Sequence, residues 1–286
     1  VNSQGKDYSV YRADGSFSAP FISFNQNPKN RESQYYKWFC KKEFRQAMSC
    51  LLNRERIIQQ TYRGLADPCY SFFAKPNAFY DDGITLQYRY DVKRALDLLE
   101  SIGMKRGSDG TMRDWENKAV EFDLTINSSS STMSDIAQII TDECSLVGIK
   151  INVRQTDFQK IVEMLTATYD WQSIIIGLSG GSIFPSQGSN VWVSYGNLHL
   201  WYPLQERPAT EWEARVDWLY NNASYTIDKV LAKKYWDEYQ RIYLEQCPVI
   251  YLVSARSFYA LNNRWDQTNL YYDNMYGART EYVFAR

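Results

Sequence analysis

Val120-Glu121-Phe122-Asp123-Leu124-Thr125-Ile126, Ile149-Lys150-Ile151-Asn152-Val153 and Trp171-Gln172-Ser173-Ile174-Ile175-Ile176-Gly177-Leu178 decide how this chain reads. The first two alternate apolar and polar side chains with the period of a half-buried strand, and the third carries the unbroken Ile run of a strand covered on both faces. Between them, residues 134–147 place Ile136, Ile139, Ile140, Cys144 and Val147 on one helical face, with Gly148 as the stop. Residues 158–166 repeat the pattern through Ile161, Val162 and Leu165. The order is β-α-β-α-β. Right-handed crossovers then make the three strands parallel and bring residues 127–131, Gln155-Thr156 and residues 178–182 to one carboxyl edge. Ligands of open α/β sheets sit at that edge.

Upstream, residues 1–20 are polar with Gly and Ser and read as an incoming linker; Phe21-Ile22-Ser23-Phe24-Asn25 alternates as a strand. Across residues 41–62, Phe44, Ala47, Met48, Leu51, Leu52, Ile57 and Ile58 recur at helical spacing, with Asn53 as the cap of a second helix and Gly64 as its end. Residues 65–90 hold Pro68, Pro76 and many Tyr and Phe without a period, the mark of a long ordered loop, and such loops are often functional. Asp91 caps a helix through Val92, Ala95, Leu96, Leu99 and Ile102, closed by Gly103, and Ser108-Asp109-Gly110 reads as a hairpin tip. Downstream, residues 211–220 and 228–246 read as helices, and residues 248–254 and 257–261 as closing strands.

The 286 residues suffice for one large or two modest domains, and 44% hydrophobic content with only 14 Gly and 8 Pro excludes a disordered or collagen-like chain. Lys+Arg 32 against Asp+Glu 33 leaves a net charge of −1, so no field favours nucleic acid or an acidic membrane. The longest apolar stretches, 173–178 and 248–253, fall far short of the roughly 20 residues that span a bilayer. Residue 1 is Val, so the chain reads as cut from, or matured out of, something longer. Five Cys with no C-x-x-C leave at least one thiol without a partner inside the chain and offer no metal-ligand spacing. Tyr, Trp and Phe make up 16% of residues, which suits an aromatic core and also a site that is both wet and adhesive.

Gly177-Leu178-Ser179-Gly180-Gly181 matches the G-x-S-x-G of a hydrolase elbow. An elbow runs straight into a helix, whereas Ile183-Phe184-Pro185 and Gly188 follow here. The one histidine, His199, comes with no acid between it and Ser179, so the order Ser, acid, His is not filled. A Gly-rich loop that lets backbone approach a ligand explains the motif better. His199 alone builds no zinc site and reads as a hydrogen-bonded structural residue. Glu211 and Glu213, two apart on a helix, face different ways; they read as an acidic first turn capped by Thr210. No Walker or dinucleotide fingerprint is present, and Asn222-Ala223-Ser224 carries no argument.

Several stretches, in chain order, resemble the family 5 extracellular solute-binding proteins, the peptide-, nickel- and oligosaccharide-capturing components of ABC importers. They are Phe24-Asn25, Phe44-Arg45-Gln46-Ala47-Met48, Asn53-Arg54-Glu55-Arg56-Ile57-Ile58, Tyr62-Arg63-Gly64-Leu65-Ala66, Tyr90-Asp91 through Ala95 with Leu98-Leu99 and Gly103, Asp135-Ile136-Ala137-Gln138, Gly148-Ile149, and residues 235–246 followed by Pro248. The resemblance runs from about Phe24 to about Ser257.

It implies an α/β, periplasmic binding protein-like (class II) lobe with a β-α-β-α-β core sheet and extra flanking helices. Residues 1–23 would be a linker or hinge, 24–256 the second ligand-binding lobe, and 257–286 a segment returning toward a first lobe absent from the chain. The implied function is non-enzymatic capture of a peptide, or of an oligosaccharide, by two-lobe closure. The implied setting is a monomer, periplasmic or tethered outside the cell as a lipoprotein, that serves a membrane permease and takes no cofactor and no nucleic acid. The Asp with which peptide-binding members pair the ligand amine is missing from Ser179-Gly180-Gly181-Ser182, and the Arg of some dipeptide binders is missing from Asn127-Ser128-Ser129-Ser130-Ser131. The expected ligand face is therefore neutral: Asn127, Ser128, Ser129, Leu178, Ser179, Gly180 and Gly181, with Trp192, Tyr195 and Trp201 as stacking partners.

Overall fold

Strands Glu121–Asn127, Lys150–Thr156 and Ser173–Ile176 alternate with helices Ser131–Ser145 and Phe158–Glu163 in a computed structural model of the chain. The residues it describes are 3–4, 7–12, 17–84, 88–178, 184–273 and 277–285. Glu121–Asn127 is the middle strand of the three, parallel to both others, with Leu124 opposite Val153 on one side and Ser173 on the other. Each helix begins where a side-chain oxygen satisfies an otherwise orphaned amide: Ser130 accepts from Met133 N, and Asp157 from Lys160 N. The second helix runs on into a π turn, Met164–Thr168, and the chain reverses at Tyr169 in the left-handed region, φ 56°.

Two strands extend the sheet beyond this unit. Phe21–Phe24 lies antiparallel to Ser173–Ile176, with Phe21 opposite Ile176, and Val249–Tyr251 lies antiparallel to Phe21–Phe24, with Tyr251 opposite Phe21. The five strands stand in the order 249–251, 21–24, 173–176, 121–127, 150–156. Alternation in Phe21-Ile22-Ser23-Phe24 suggested one wet face, yet all four residues are buried. Both faces of this strand are covered: Ile22 and Phe24 join one apolar cluster, Phe21 the other, and Ser23 Oγ donates to Pro248 O at 2.9 Å.

The aromatic excess goes largely into these two layers. On one face Phe24, Phe39, Phe44 and Phe122 pack with ring centroids 5.0–6.1 Å apart. On the other, Phe72 stacks on Tyr243 at 4.3 Å, and Trp236 meets Tyr239 edge-on at 5.2 Å. Helices Lys42–Cys50, Arg54–Gln60 and Val92–Ser101 form where the periodicity places them, and Asn53 and Asp91 cap the last two. Helix Gln34–Phe39, capped by Ser33, was not visible as a period because it is barely two turns long.

Residues 1–20 differ from a plain linker. Tyr8–Arg12 is a strand, paired antiparallel with Phe258–Asn262 so that Val10 faces Ala260. Its partner lies some 250 residues away in sequence, and no local signal reports such a pairing. The tip at Ser108-Asp109-Gly110 joins the two-residue strands Lys105–Arg106 and Met112–Arg113 as expected.

Candidate functional site

The strand directions fix which loops meet. With Glu121–Asn127 parallel to its two neighbours, Asn127, Thr156 and Leu178 emerge at one edge of the sheet. Val249–Tyr251 runs the same way as Ser173–Ile176, because both are antiparallel to Phe21–Phe24, so Tyr251 and the chain preceding Phe21 reach this edge too. A hollow of about 190 Å³ opens over the 249–251, 21–24, 173–176 half of the edge, floored by Leu178, Tyr239 and Tyr251 and walled by Phe72, Asn77 and Trp192. An adjoining hollow of about 90 Å³ shares Phe17, Phe72, Phe73 and Tyr251 and extends to Asp67, Lys75 and Tyr80. A wider, more open depression of about 760 Å³ at Lys41, Glu43, Ser101, Ile102 and Trp115 touches no strand of the sheet.

The larger hollow is neutral. Among the described residues its lining holds no Asp, Glu, Lys or Arg; its polar side chains include the amides Asn77, Gln187 and Asn190. Asp67 in the adjoining hollow is held by Arg256 at 2.6 and 3.1 Å and by Arg12 at 3.0 Å. The Arg256 hydrogen bonds keep its carboxyl below the usual carboxylate range. The Asp67 charge is thus compensated, and Lys75 leaves the adjoining hollow with a positive charge.

The wall at residues 184–205 has little regular structure and is fastened from behind. Tyr243 donates to Trp192 O at 2.6 Å, and the Trp192 indole lies so close over Gly188 that a Cβ there would stand 2.4 Å from its ring. His199 Nδ1 is 2.9 Å from Val191 O, and its Nε2 is 3.4 Å from Glu213 Oε1. That carboxylate also accepts from Trp201 Nε1 at 3.1 Å, Gln205 Nε2 at 2.9 Å and Thr210 Oγ1 at 2.8 Å, while Thr210 Oγ1 accepts from Glu213 N. Thr210 thus caps helix Glu211–Tyr225 through Glu213 N, as the acidic first turn suggested, and its hydroxyl also holds the Glu213 carboxylate; His199 is structural. Asp217 takes both the amide and the hydroxyl of Ser194.

Burial pushes the Glu213 carboxyl up, but hydrogen bonds from His199, Gln205 and Thr210 outweigh it and hold the group below its ordinary value. A depressed carboxylate stabilises the fold above its unfolded pKa, and that stabilisation is lost as pH falls through the folded value. Glu213→Gln, which leaves one acceptor oxygen for four donors, is expected to cost about 1–3 kcal/mol at pH 7. Thermal melts of both forms from pH 7 to about pH 2.5 check this: the gap between them holds down to the ordinary carboxylate range and closes below it.

Of the residues read as ligand-facing, Leu178 and Trp192 line the hollow, and Trp192 meets Phe72 edge-on at 5.1 Å. Asn127, Ser128 and Ser129 share the edge but lie on its other half and line neither hollow. Asn127 Oδ1 accepts from Ser129 N and Oγ, and Ser128 N donates to Thr156 O, which makes this segment a turn leading into the cap at Ser130. Tyr195 is 54% exposed and outside the hollow. Trp201 has to be withdrawn: it is 1% exposed with its indole N–H committed to Glu213, so it is core. Ser179, Gly180 and Gly181 lie outside the described residues.

Phe17, Phe72, Asn77, Tyr239 and Tyr251 line the hollow and were not singled out in the sequence. The signal for two of them was the aromatic, aperiodic stretch 65–90. No group of three or more His, Cys, Asp or Glu fit to hold a metal occurs among the described residues, and no described helix is long and apolar enough to cross a membrane.

A probable ABC transporter-binding protein of Deinococcus radiodurans is 29% identical over 268 residues, covering 89% of this chain and 44% of that protein. The oligopeptide-binding protein AppA of Bacillus subtilis, solved with a nonapeptide, superposes with a TM-score of 0.77 at 20% identity, over 98% of this chain and 53% of AppA. MelB of Agrobacterium fabrum, solved with stachyose, gives 0.77 at 16% identity, over 91% of this chain and 41% of MelB. At these identities the two structures establish the fold, a periplasmic binding protein-like α/β lobe. The chain spans about half the length of the proteins it matches. Residues 2–199 match the family described as bacterial extracellular solute-binding proteins, family 5 Middle, and on that match the chain belongs to this family.

Proposed function

We propose that this chain supplies one lobe of a two-lobed clamp that captures a peptide for an ABC importer, with the neutral aromatic hollow over Leu178 as its share of the ligand surface. The observation that carries the reading is the hollow's position: concave, aromatic and uncharged, at the carboxyl edge where open α/β sheets take ligands. An uncharged lining suits an apolar or aromatic side chain of a peptide whose termini are held elsewhere. The boundary expected at residue 24 moves to residue 21, because Phe21–Phe24 is a buried strand of the central sheet, so residues 21–256 form the lobe. Residues 1–20 and 257–286 are the two segments passing to the other lobe, in keeping with the antiparallel pairing of Tyr8–Arg12 with Phe258–Asn262.

The same aromatic walls favour a second reading, an uncharged oligosaccharide stacked on Trp192 with hydroxyls bonded to Asn77, Gln187 and Asn190. The protein acts as a monomer outside the cytoplasm, docks on a membrane permease and does no chemistry. Wild-type protein and Ser179→Ala are accordingly expected to give the same background with a nitrophenyl ester. A turnover abolished by the substitution would make the protein a hydrolase.

Trp192→Ala in the protein with both lobes tests the site. As one aromatic anchor in a pocket, Trp192 is expected to be worth about 10- to 30-fold in affinity. Calorimetry with mixed peptides and with raffinose-type oligosaccharides reads both ligand classes. Unchanged affinity for whichever ligand binds would remove the hollow from the site.

A further inference from the structure

Arg54 is a buried cation without an anion. Its side chain is 1% exposed, and its Nε and Nη2 both donate to one neutral acceptor, Tyr251 O, at 3.0 and 2.6 Å. Its Nη1 is buried with no hydrogen-bond partner among the described residues. The guanidinium sits over the Tyr70 ring, 5.0 Å from the centroid, and a second guanidinium, Arg89, sits 4.7 Å from the same centroid. A third, Arg45, is equally buried and bonded only to the carbonyls of Phe39 and Gln246. Among the described residues no carboxylate forms an ion pair with Arg54 or Arg45.

Such an arrangement is costly, because a guanidinium does not shed its proton and a buried unpaired charge keeps most of its desolvation penalty. The thiols nearby do not supply the missing charge. Burial pushes Cys50 and Cys69 up to about 11 and Cys247 up to about 12, so all three are neutral at physiological pH.

Arg54 also lines a cavity of about 10 Å³, with Cys69, Tyr70, Ser71, Phe72 and Cys247 among its walls. That is room for a single water or monatomic ion and too little for a larger polyatomic anion. We propose that this cavity binds one small monovalent anion, chloride or another halide, on Arg54 Nη1. The ion supplies the counter-charge that the fold does not. It also steadies Tyr251, whose carbonyl Arg54 holds and which lines both the cavity and the hollows. The proposal is independent of what the hollow binds.

Crystals of the wild-type chain grown in sodium bromide, with data collected at the bromine edge, are expected to show an anomalous peak within hydrogen-bonding reach of Arg54 Nη1. In ligand-free melts at constant ionic strength, exchanging sodium gluconate for sodium chloride is expected to raise the midpoint. The rise should be roughly 2–4 °C per tenfold chloride above its dissociation constant. Arg54→Gln, provided it folds, should melt at one temperature in both salts; the wild-type measurements decide without it. A water at Arg54 with no anomalous signal, or equal wild-type melting in both salts, overturns the proposal. Bromide density without the chloride effect means binding at crystal concentration only, and overturns it too.

Discussion

Calorimetry on this chain alone should find ligand binding no tighter than millimolar, about a thousandfold weaker than on the same chain joined to its partner lobe. The expectation follows from how a clamp divides its work. Each lobe supplies part of the ligand shell, and closure removes the water that weakens every polar contact. A micromolar ligand has about 8 kcal/mol of binding free energy, and losing half of it moves the dissociation constant to about the millimolar range. The hollow agrees with this: at about 190 Å³ and open to solvent at the sheet edge, it encloses one or two side chains, not a whole oligopeptide. The lobe itself should stay folded, since its five-stranded sheet has a continuous apolar layer on each face. Micromolar binding by the lone chain would place the entire site within it and end the clamp reading.

Gly148→Ala should be the most damaging conservative change in the lobe, at about 2–5 kcal/mol. Gly148 ends helix Ser131–Ser145 with φ +84°, a conformation that costs an L-residue about 1–2 kcal/mol. The added methyl would also stand 2.1 Å from Gly110 O and 2.7 Å from Met112 N. Both are backbone atoms of the 105–113 hairpin, and Gly148 O accepts from Met112 N at 2.8 Å. Relief therefore requires the hairpin to move off the helix-to-strand turn, a form of overpacking that costs about 1–3 kcal/mol. A midpoint in denaturant unchanged within error would show that the contact is looser than described.

The legible part of this protein was the part encoded locally. Strands 121–127, 150–156 and 173–176 and their helices each carry their own period and caps, and right-handed crossover then dictates their direction. The insertion of Phe21–Phe24 between Ser173–Ile176 and Val249–Tyr251 is a decision among distant segments, and so is the pairing of Tyr8–Arg12 with Phe258–Asn262. No local pattern encodes either. The hollow proposed as the site departs from the expected ligand face for the same reason. Asn127 to Ser129 and Leu178 were rightly assigned to one edge, but the order of strands put the concavity on the half where Tyr251 and Phe72 arrive. Trp201 differs for another reason: exposure is not written in residue type, and a tryptophan whose indole N–H reaches the buried Glu213 carboxylate serves the core as readily as a ligand.

The most direct test of the central claim is a crystal structure of the protein with both lobes and a co-purified ligand bound. The ligand is expected between the lobes, with one of its groups seated over Leu178 against Phe72 and Trp192. A ligand lying instead across Asn127, Ser128 and Thr156, with the hollow left empty, would contradict the site proposed for this lobe.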